Sequence, residues 1–233
     1  MKKNLLLLHG ALGSKDQFNK LESLLDENYN IYKFNFSGHG GLEIPISKFS
    51  IKLFSEDLTG FIEKNKLSEV NIFGYSMGGY VALYTSANTE INNPNQIKKI
   101  FTLATKFDWN PTSSAKETKF LNPDVIEEKV PKFADVLKAR HSDNNWRKVL
   151  IKTAEMMTDL GNNPELTDND LSEINIPVLI SVGDSDNMVS VDESKYVSGK
   201  IKNCEFKILE NTQHPIEKTD VEILAKEIKN FIN

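Results

Sequence analysis

Between the apolar run Val70-Asn71-Ile72-Phe73 and the helix-periodic stretch Tyr80-Val81-Ala82-Leu83-Tyr84 lies a six-residue punctuation, Gly74-Tyr75-Ser76-Met77-Gly78-Gly79. No other segment restricts the fold as severely. A chain that leaves a strand and enters a helix within one turn forces the residue at the apex into a strained backbone conformation. Side chains two positions either side would strike the neighbouring elements, and there the sequence has Gly74 and Gly78. The turn lifts the Ser76 hydroxyl clear of a sheet and sets it at a helix N-terminus. There the unpaired N–H of Met77 can face a developing oxyanion. A bare G-x-S-x-G arises often by chance. The strand before it and the helix after it give this one meaning.

The rest of the chain repeats the alternation. Leu5–Leu8 reads as a first strand, apolar on both faces as a buried parallel strand is. Ser14 opens a helix with Gln17 as capping-box partner, followed by Phe18, Leu21, Leu24 and Leu25 at helical spacing. Residues 29–36 form a second strand, and Ser50 caps a helix carrying Ile51, Phe54, Leu58, Phe61 and Ile62. Strands follow at 97–104, at 176–182 behind Pro177, and at 205–209, with a helix around 193–197 and a last helix from 217 to 232. The pattern predicts an α/β fold: a mainly parallel sheet of about six strands, flanked by helices on both faces.

Residues 105–172 break that rhythm. They hold both tryptophans, Trp109 and Trp146, with helical patches at 125–139 and 146–160 and no convincing strand. The stretch is too long for an ordinary loop. It reads as a helical cap inserted into a core domain made of 1–104 and 173–233. Trp109, Trp146, Met156 and Met157 could line a pocket, but at helical spacing such side chains are expected to be plain core.

Bulk properties exclude several functions. The 233 residues carry 28 basic and 33 acidic side chains, a net charge of −5, with no basic cluster. This argues against nucleic acid and against an anionic membrane as partners. Cys204 is the only cysteine, so no internal disulfide forms, and it reads as strand filler rather than a nucleophile. Met1-Lys2-Lys3 before four leucines imitates a signal peptide, but the apolar run is too short for one or for a membrane span. A cytoplasmic location is the expectation. Oligomeric state is not legible.

An activated serine needs a base, and the base needs a group that fixes its tautomer. His9 and His39 lie in glycine-rich loops that suit structural hydrogen bonding, and His141 lies among polar residues of the insertion. His214 follows the last strand, in Thr212-Gln213-His214-Pro215. Loops after parallel strands converge on one edge of the sheet, which is the edge of Ser76. The acid belongs to the loop after the fifth strand, Gly183-Asp184-Ser185-Asp186, where two candidates compete. Asp184 can serve the turn by bonding local N–H groups. Asp186 sits deeper, ahead of Met188-Val189, and is favoured.

The order Ser76, Asp186, His214, with the His9-Gly10, Ser37-Gly38-His39-Gly40, Gly74–Gly78, Gly183…Asp186 and Gln213-His214 loops, resembles the α/β-hydrolases of the small, capped bacterial type. The resemblance covers all of the chain except the insertion. It implies Asp186 as the acid, three residues after the glycine. It also implies that the second oxyanion donor is the backbone N–H of Ala11, with Leu12 as the neighbouring possibility. Two departures stand out. The antiparallel hairpin that usually precedes the first core strand is missing, so six strands are expected rather than eight. Asn35 replaces the aspartate of a D-x-x-G-H-G loop, which implies a changed local hydrogen bond.

The expected activity is hydrolysis of a small carboxylic ester, thioester or lactone by a serine esterase, without metal or organic cofactor. No H-x-x-x-H or clustered Cys/His spacing suggests a metal. A second expectation is a lyase or C–C bond hydrolase, since the chain also resembles menaquinone-biosynthesis lyases. Those relatives tend to carry an arginine directly after the G-x-S-x-G-G run, where this chain has Tyr80. A third is a ligand-binding relative that kept the fold and lost turnover.

Overall fold

The computed structural model describes residues 2–88 and 96–233; Met1 of the charged opening tripeptide lies outside them. Six strands form one sheet: β1 (Lys3–Leu8), β2 (Tyr29–Lys33), β3 (Val70–Tyr75), β4 (Ile97–Leu103), β5 (Val178–Gly183) and β6 (Cys204–Leu209). Their spatial order is β2-β1-β3-β4-β5-β6, and every pairing is parallel. The order reverses at β1, so the C-terminal ends of the strands are where a crevice forms.

Alternation along β1 divides the core. Leu6 and Leu8 pack on one face with α2 (Ile51–Lys64) and α3 (Met77–Ala87), whereas Leu5 and Leu7 pack on the other with α1 (Asn19–Leu25) and α10 (Val221–Ile232). All four leucines are fully buried. At about 25 cal/mol per Å² of apolar surface, each stabilises the sheet by roughly 1.5–3 kcal/mol. Ser50 caps α2 as expected, its Oγ accepting the Leu53 N–H at 3.1 Å. The first helix begins as a 3-10 turn at Lys15–Phe18, where the Gln17 side chain accepts the Ser14 N–H.

Several boundaries differ from expectation. β2 ends at Lys33 rather than at residue 36, because the Phe36 N–H is diverted from the ladder to His9 Nε2 at 3.2 Å. The closing helix starts at Val221, not at residue 217. Asp220 caps it through the N–H groups of Glu222 and Ile223, after a separate 3-10 turn at Ile216–Lys218. The patch at 125–139 is two helices, α5 (Pro123–Lys129) and α6 (Pro131–His141), since Pro131 cannot continue the first.

Between β4 and β5 the chain also forms α4 (Pro111–Thr118), α7 (Trp146–Asn162) and α8 (Asp168–Ser172), and α9 (Val191–Ser198) follows β5. The insertion does not build a separate core. Leu137, Trp146, Val149 and Leu160 join the cluster that contains Leu6 and Leu8.

Candidate active site

β3 stops at Tyr75 and α3 starts at Met77, leaving Ser76 alone between them with φ 50° and ψ −117°. A serine held there costs of order 1–3 kcal/mol. Neighbours hold it in place. The Ser76 N–H donates to the Leu103 carbonyl at 2.8 Å, and Thr105 Oγ1 donates to the Ser76 carbonyl at 3.0 Å. A Cβ on Gly78 would lie 2.4 Å from the Leu8 carbonyl oxygen, and one on Gly74 would lie 2.6 Å from the Gly79 backbone. Both glycines are required by close packing, as the sequence implied.

His214 and Asp186 meet Ser76 at this rim. Asp186 Oδ2 and Oδ1 lie 2.9 and 3.1 Å from His214 Nδ1, and His214 Nε2 lies 3.4 Å from Ser76 Oγ. A carboxylate accepts, so Nδ1 carries the proton and Nε2 offers its lone pair to the serine hydroxyl. The 3.4 Å separation is long for a hydrogen bond. The Asp186 side chain has no solvent exposure. Burial alone would raise its carboxyl, but the hydrogen bond and charge of His214 and the N–H groups of Val189 and Met188 outweigh it. The net effect holds the carboxyl below its ordinary value. Tyr75 supports the imidazole from behind: its hydroxyl donates to the His214 carbonyl at 2.7 Å.

Asp184 is elsewhere. It is exposed and accepts from Ser185 Oγ and the Thr212 N–H, which ties the β5 loop to the stretch leading to His214. Of the two competing carboxylates, only Asp186 contacts the imidazole. Cys204 is half-buried on β6, and burial pushes its thiol up to about 11, a value that suits filler and not a nucleophile.

Met77 is the first residue of α3, so its N–H has no intrahelical acceptor. The Gly10–Leu12 loop passes directly beside the serine: a Cβ on Gly10 would be 3.1 Å from Ser76 Cβ. Ala11 and Met77 line one small cavity with Ser76 and His214. Leu12 has a positive φ of 58°, and its carbonyl accepts from Arg140 Nη1 at 2.8 Å and His141 Nε2 at 2.9 Å. Both donors come from α6.

Apart from Lys106, the rest of the lining is apolar or aromatic. Met156, Met157 and Leu160 of α7 close it together with Tyr80, Trp109 and Met188. Its free space is about 30 Å³, room for roughly two water molecules. Larger depressions, of about 630, 590, 530 and 380 Å³, lie on the surface, and none of them includes Ser76 or His214. The expectation that the insertion's Trp and Met residues are plain core is therefore corrected for Trp109, Met156 and Met157. Trp146 alone follows it, buried against Val149 and Leu150 in the core.

A family model for the alpha/beta hydrolase fold matches residues 3–160. The chain belongs to this family. Among sequence relatives of the hydrolase, a Haemophilus influenzae protein named "Putative esterase/lipase" is 21% identical, over 98% of this chain and 83% of its own. A Bacillus subtilis protein named "Putative 2-succinyl-6-hydroxy-2,4-cyclohexadiene-1-carboxylate synthase" is 24% identical, over 97% of this chain and 88% of its own. Among solved structures, MenH from S. aureus superposes with a TM-score of 0.78 at 21% identity, covering 99% of this chain and 93% of that one.

Sequence reading missed three residues of this α/β-hydrolase that bear on the site. Tyr75 is inside the G-x-S-x-G motif, at the variable position. His141 is fully buried and reaches Leu12, 129 positions away. Lys106 lines the cavity beside Ser76. Its signal was available: it stands three residues past β4, at the same sheet edge as the other site residues. Among the described residues no helix is long and apolar enough to cross a membrane, and no group of three or more His, Cys, Asp or Glu side chains is placed to hold a metal.

Proposed function

We propose that this α/β-hydrolase is a serine esterase that cleaves a small carboxylic ester, thioester or lactone through an acyl-enzyme. The observation that carries the reading is the chain of contacts from Ser76 Oγ through His214 to the buried carboxylate of Asp186. In this mechanism His214 Nε2 takes the Ser76 proton as Oγ attacks the carbonyl carbon. Asp186 keeps the ring in the productive tautomer and stabilises the imidazolium. The N–H groups of Met77 and Ala11 hold the oxyanion, each worth about 2.7–4 kcal/mol by the usual mutational scale. His214 then protonates the leaving alcohol or thiol, and water cleaves the acyl-enzyme by the same route. The chemistry requires no metal and no organic cofactor. The partner is a small ester-like molecule, the insertion at 105–172 serves as a helical cap over it, and the reaction takes place in the cytoplasm.

The similarity to the Bacillus subtilis synthase supports a second reading, a lyase or C–C bond hydrolase on the same three residues. Tyr80 counts against it. A third reading keeps the fold as a ligand-binding protein without turnover. One experiment separates them: a panel of acyl esters and thioesters of graded length, run on wild type and on Ser76→Ala, with fluorophosphonate labelling of both. The esterase reading expects turnover and labelling in wild type and neither in Ser76→Ala. Equal turnover by both proteins overturns it. Labelling without ester turnover, combined with conversion of the synthase substrate, favours the lyase. Ligand binding by a wild type that does not label favours the receptor.

A further inference from the structure

The candidate cavity contains one element that ester hydrolysis does not use. Among the described residues lining it, Ser76 and His214 belong to the proposed reaction and Lys106 is the only charged side chain besides them. The Lys106 side chain is 11% exposed, so its ammonium has left most of its water. What it has gained in return is weak. Nζ donates to the Met188 carbonyl at 3.3 Å, lies 3.9 Å from Glu193 Oε2, and stands 5.8 Å from the Trp109 ring centre.

Glu193 pairs with it only at the outer limit of contact, because both its oxygens are engaged elsewhere. Its Oε1 accepts the N–H groups of Phe107 and Asp108, at 2.9 and 3.2 Å. Its Oε2 accepts the N–H and Oγ of Ser190, at 3.0 and 3.1 Å. That carboxylate is committed to holding the start of α9 and the turn after β4. An ammonium offers three hydrogens, and a largely buried charge is costly unless it is paired and hydrogen-bonded. Lys106 therefore lines the cavity with donor capacity to spare.

We propose that Lys106 is a specificity-determining residue that anchors a carboxylate on the substrate, so that the preferred substrate is a short ester carrying an anionic group. The proposal rests on the ester-hydrolase reading and narrows its substrate class. Because Lys106 and Ser76 line the same small cavity, the spacer between the carboxylate and the ester carbonyl is a few bonds long. The walls of Met156, Met157 and Leu160 accept that spacer, while Lys106 fixes its end.

Two measurements test it, with monomethyl succinate as the anionic ester and methyl butanoate as its neutral counterpart of similar length. In the first, binding to Ser76→Ala is followed by tryptophan fluorescence, with Trp109 beside the lysine, and by calorimetry. Monomethyl succinate is expected to bind at least tenfold more tightly than methyl butanoate. That preference should vanish in Ser76→Ala combined with Lys106→Met and return with Lys106→Arg. In the second, kcat/KM for both esters is measured by pH-stat on wild type, Lys106→Met and Lys106→Arg. The ratio of anionic to neutral substrate should fall at least tenfold in Lys106→Met and recover in Lys106→Arg. Equal binding of the two ligands to Ser76→Ala, or a preference that survives Lys106→Met, overturns the proposal. The binding arm stands without turnover, so a wild type that binds the anion but hydrolyses neither ester would refute the esterase reading and leave the anion site established.

Discussion

Lowering the pH from about 8 to about 5 puts protons on the histidines of the unfolded chain, while the fold has no place for one on His9, His39 or His141. The three imidazoles are fully buried and adjacent, with ring centres 5.2 Å apart for His9–His39 and 5.7 Å for His39–His141. Each is locked in one tautomer. His9 Nδ1 donates to the Gly10 carbonyl and Nε2 accepts the Phe36 N–H; His141 Nε2 donates to Leu12 and Nδ1 accepts the Gly40 N–H. His39 Nδ1 donates to the Ser37 carbonyl, and its Nε2 is buried without a partner. A second proton on His9 or His141 would face an N–H group, and one on His39 would find no acceptor among the described residues. Burial, followed by the nearby His141 and Arg140 charges, lowers His9 to about 3, and burial with Arg140 lowers His141 to about 4, from an ordinary 6.5. His39 moves in the same direction, again through burial first. Folded values below the unfolded one mean that the unfolded state binds more protons. Stability is therefore full above pH 6.5 and is lost as the pH falls toward the folded values. At about pH 5 the loss is about 2 kcal/mol for His9 and about 2 for His141, a large share of the 5–15 kcal/mol typical of a domain. Asp57 and Glu165, raised by burial, act in the opposite sense. A difference measurement removes them. Urea unfolding at both pH values is run on wild type and on His141→Gln, whose amide keeps a donor for Leu12 and an acceptor for Gly40. The variant should lose about 2 kcal/mol less than wild type between the two pH values. An equal loss would refute the assignment of acid sensitivity to this cluster.

Three further outcomes are expected. Asp186→Asn removes the charge that fixes the imidazole and should cut kcat by about 10³–10⁴-fold on any ester that wild type hydrolyses, whereas Asp184→Asn should leave kcat within about twofold, since Asp184 only ties two loops. Gly74→Ala should cost at least about 2 kcal/mol in urea unfolding, because its Cβ would meet backbone at 2.6 Å. Gly60→Ala in α2, with open space around its Cβ, should add about 0.5–1 kcal/mol; a loss there would refute the helix-entropy argument.

The architecture was legible because its signals are local. Apolar runs, turn glycines and the Ser50 cap each act within a few residues, and one rule about parallel sheets then brought Ser76, Asp186 and His214 to a common edge. Where the reading failed, the deciding partner was remote. β2 stops early because His9, 27 positions away, takes the Phe36 N–H. His141 stood only as a residue among polar neighbours of the insertion, because the Leu12 carbonyl it bonds is 129 positions off. Lys106 sat in no motif, and its meaning depends on Met188 and Glu193, which periodicity does not bring to it. Trp109, Met156 and Met157 have the spacing of core residues and are buried or half-buried like core. What distinguishes them is the empty space on one side.

That space is small, and the way the insertion is tied down bears on how it could enlarge. α6 does not merely rest on the sheet. Arg140 and His141 both donate to the Leu12 carbonyl, in the Gly10–Leu12 loop beside the serine, and Arg140 Nη2 also reaches Glu217 at 3.0 Å, three residues beyond His214. Gln17, at the start of the first helix, donates to the same Glu217 oxygen at 2.8 Å. Lifting α6 would break the charge-assisted bond from Arg140 to Leu12, worth roughly 1.5–3 kcal/mol, together with the neutral bond from His141 and the partly exposed Arg140–Glu217 pair. The walls offer less resistance. Met77, Met156, Met157 and Met188 all border the cavity, and methionine side chains change shape by rotation about unbranched bonds. Turning those thioethers would widen the cavity without moving the Gly10–Leu12 loop or His214 relative to Ser76.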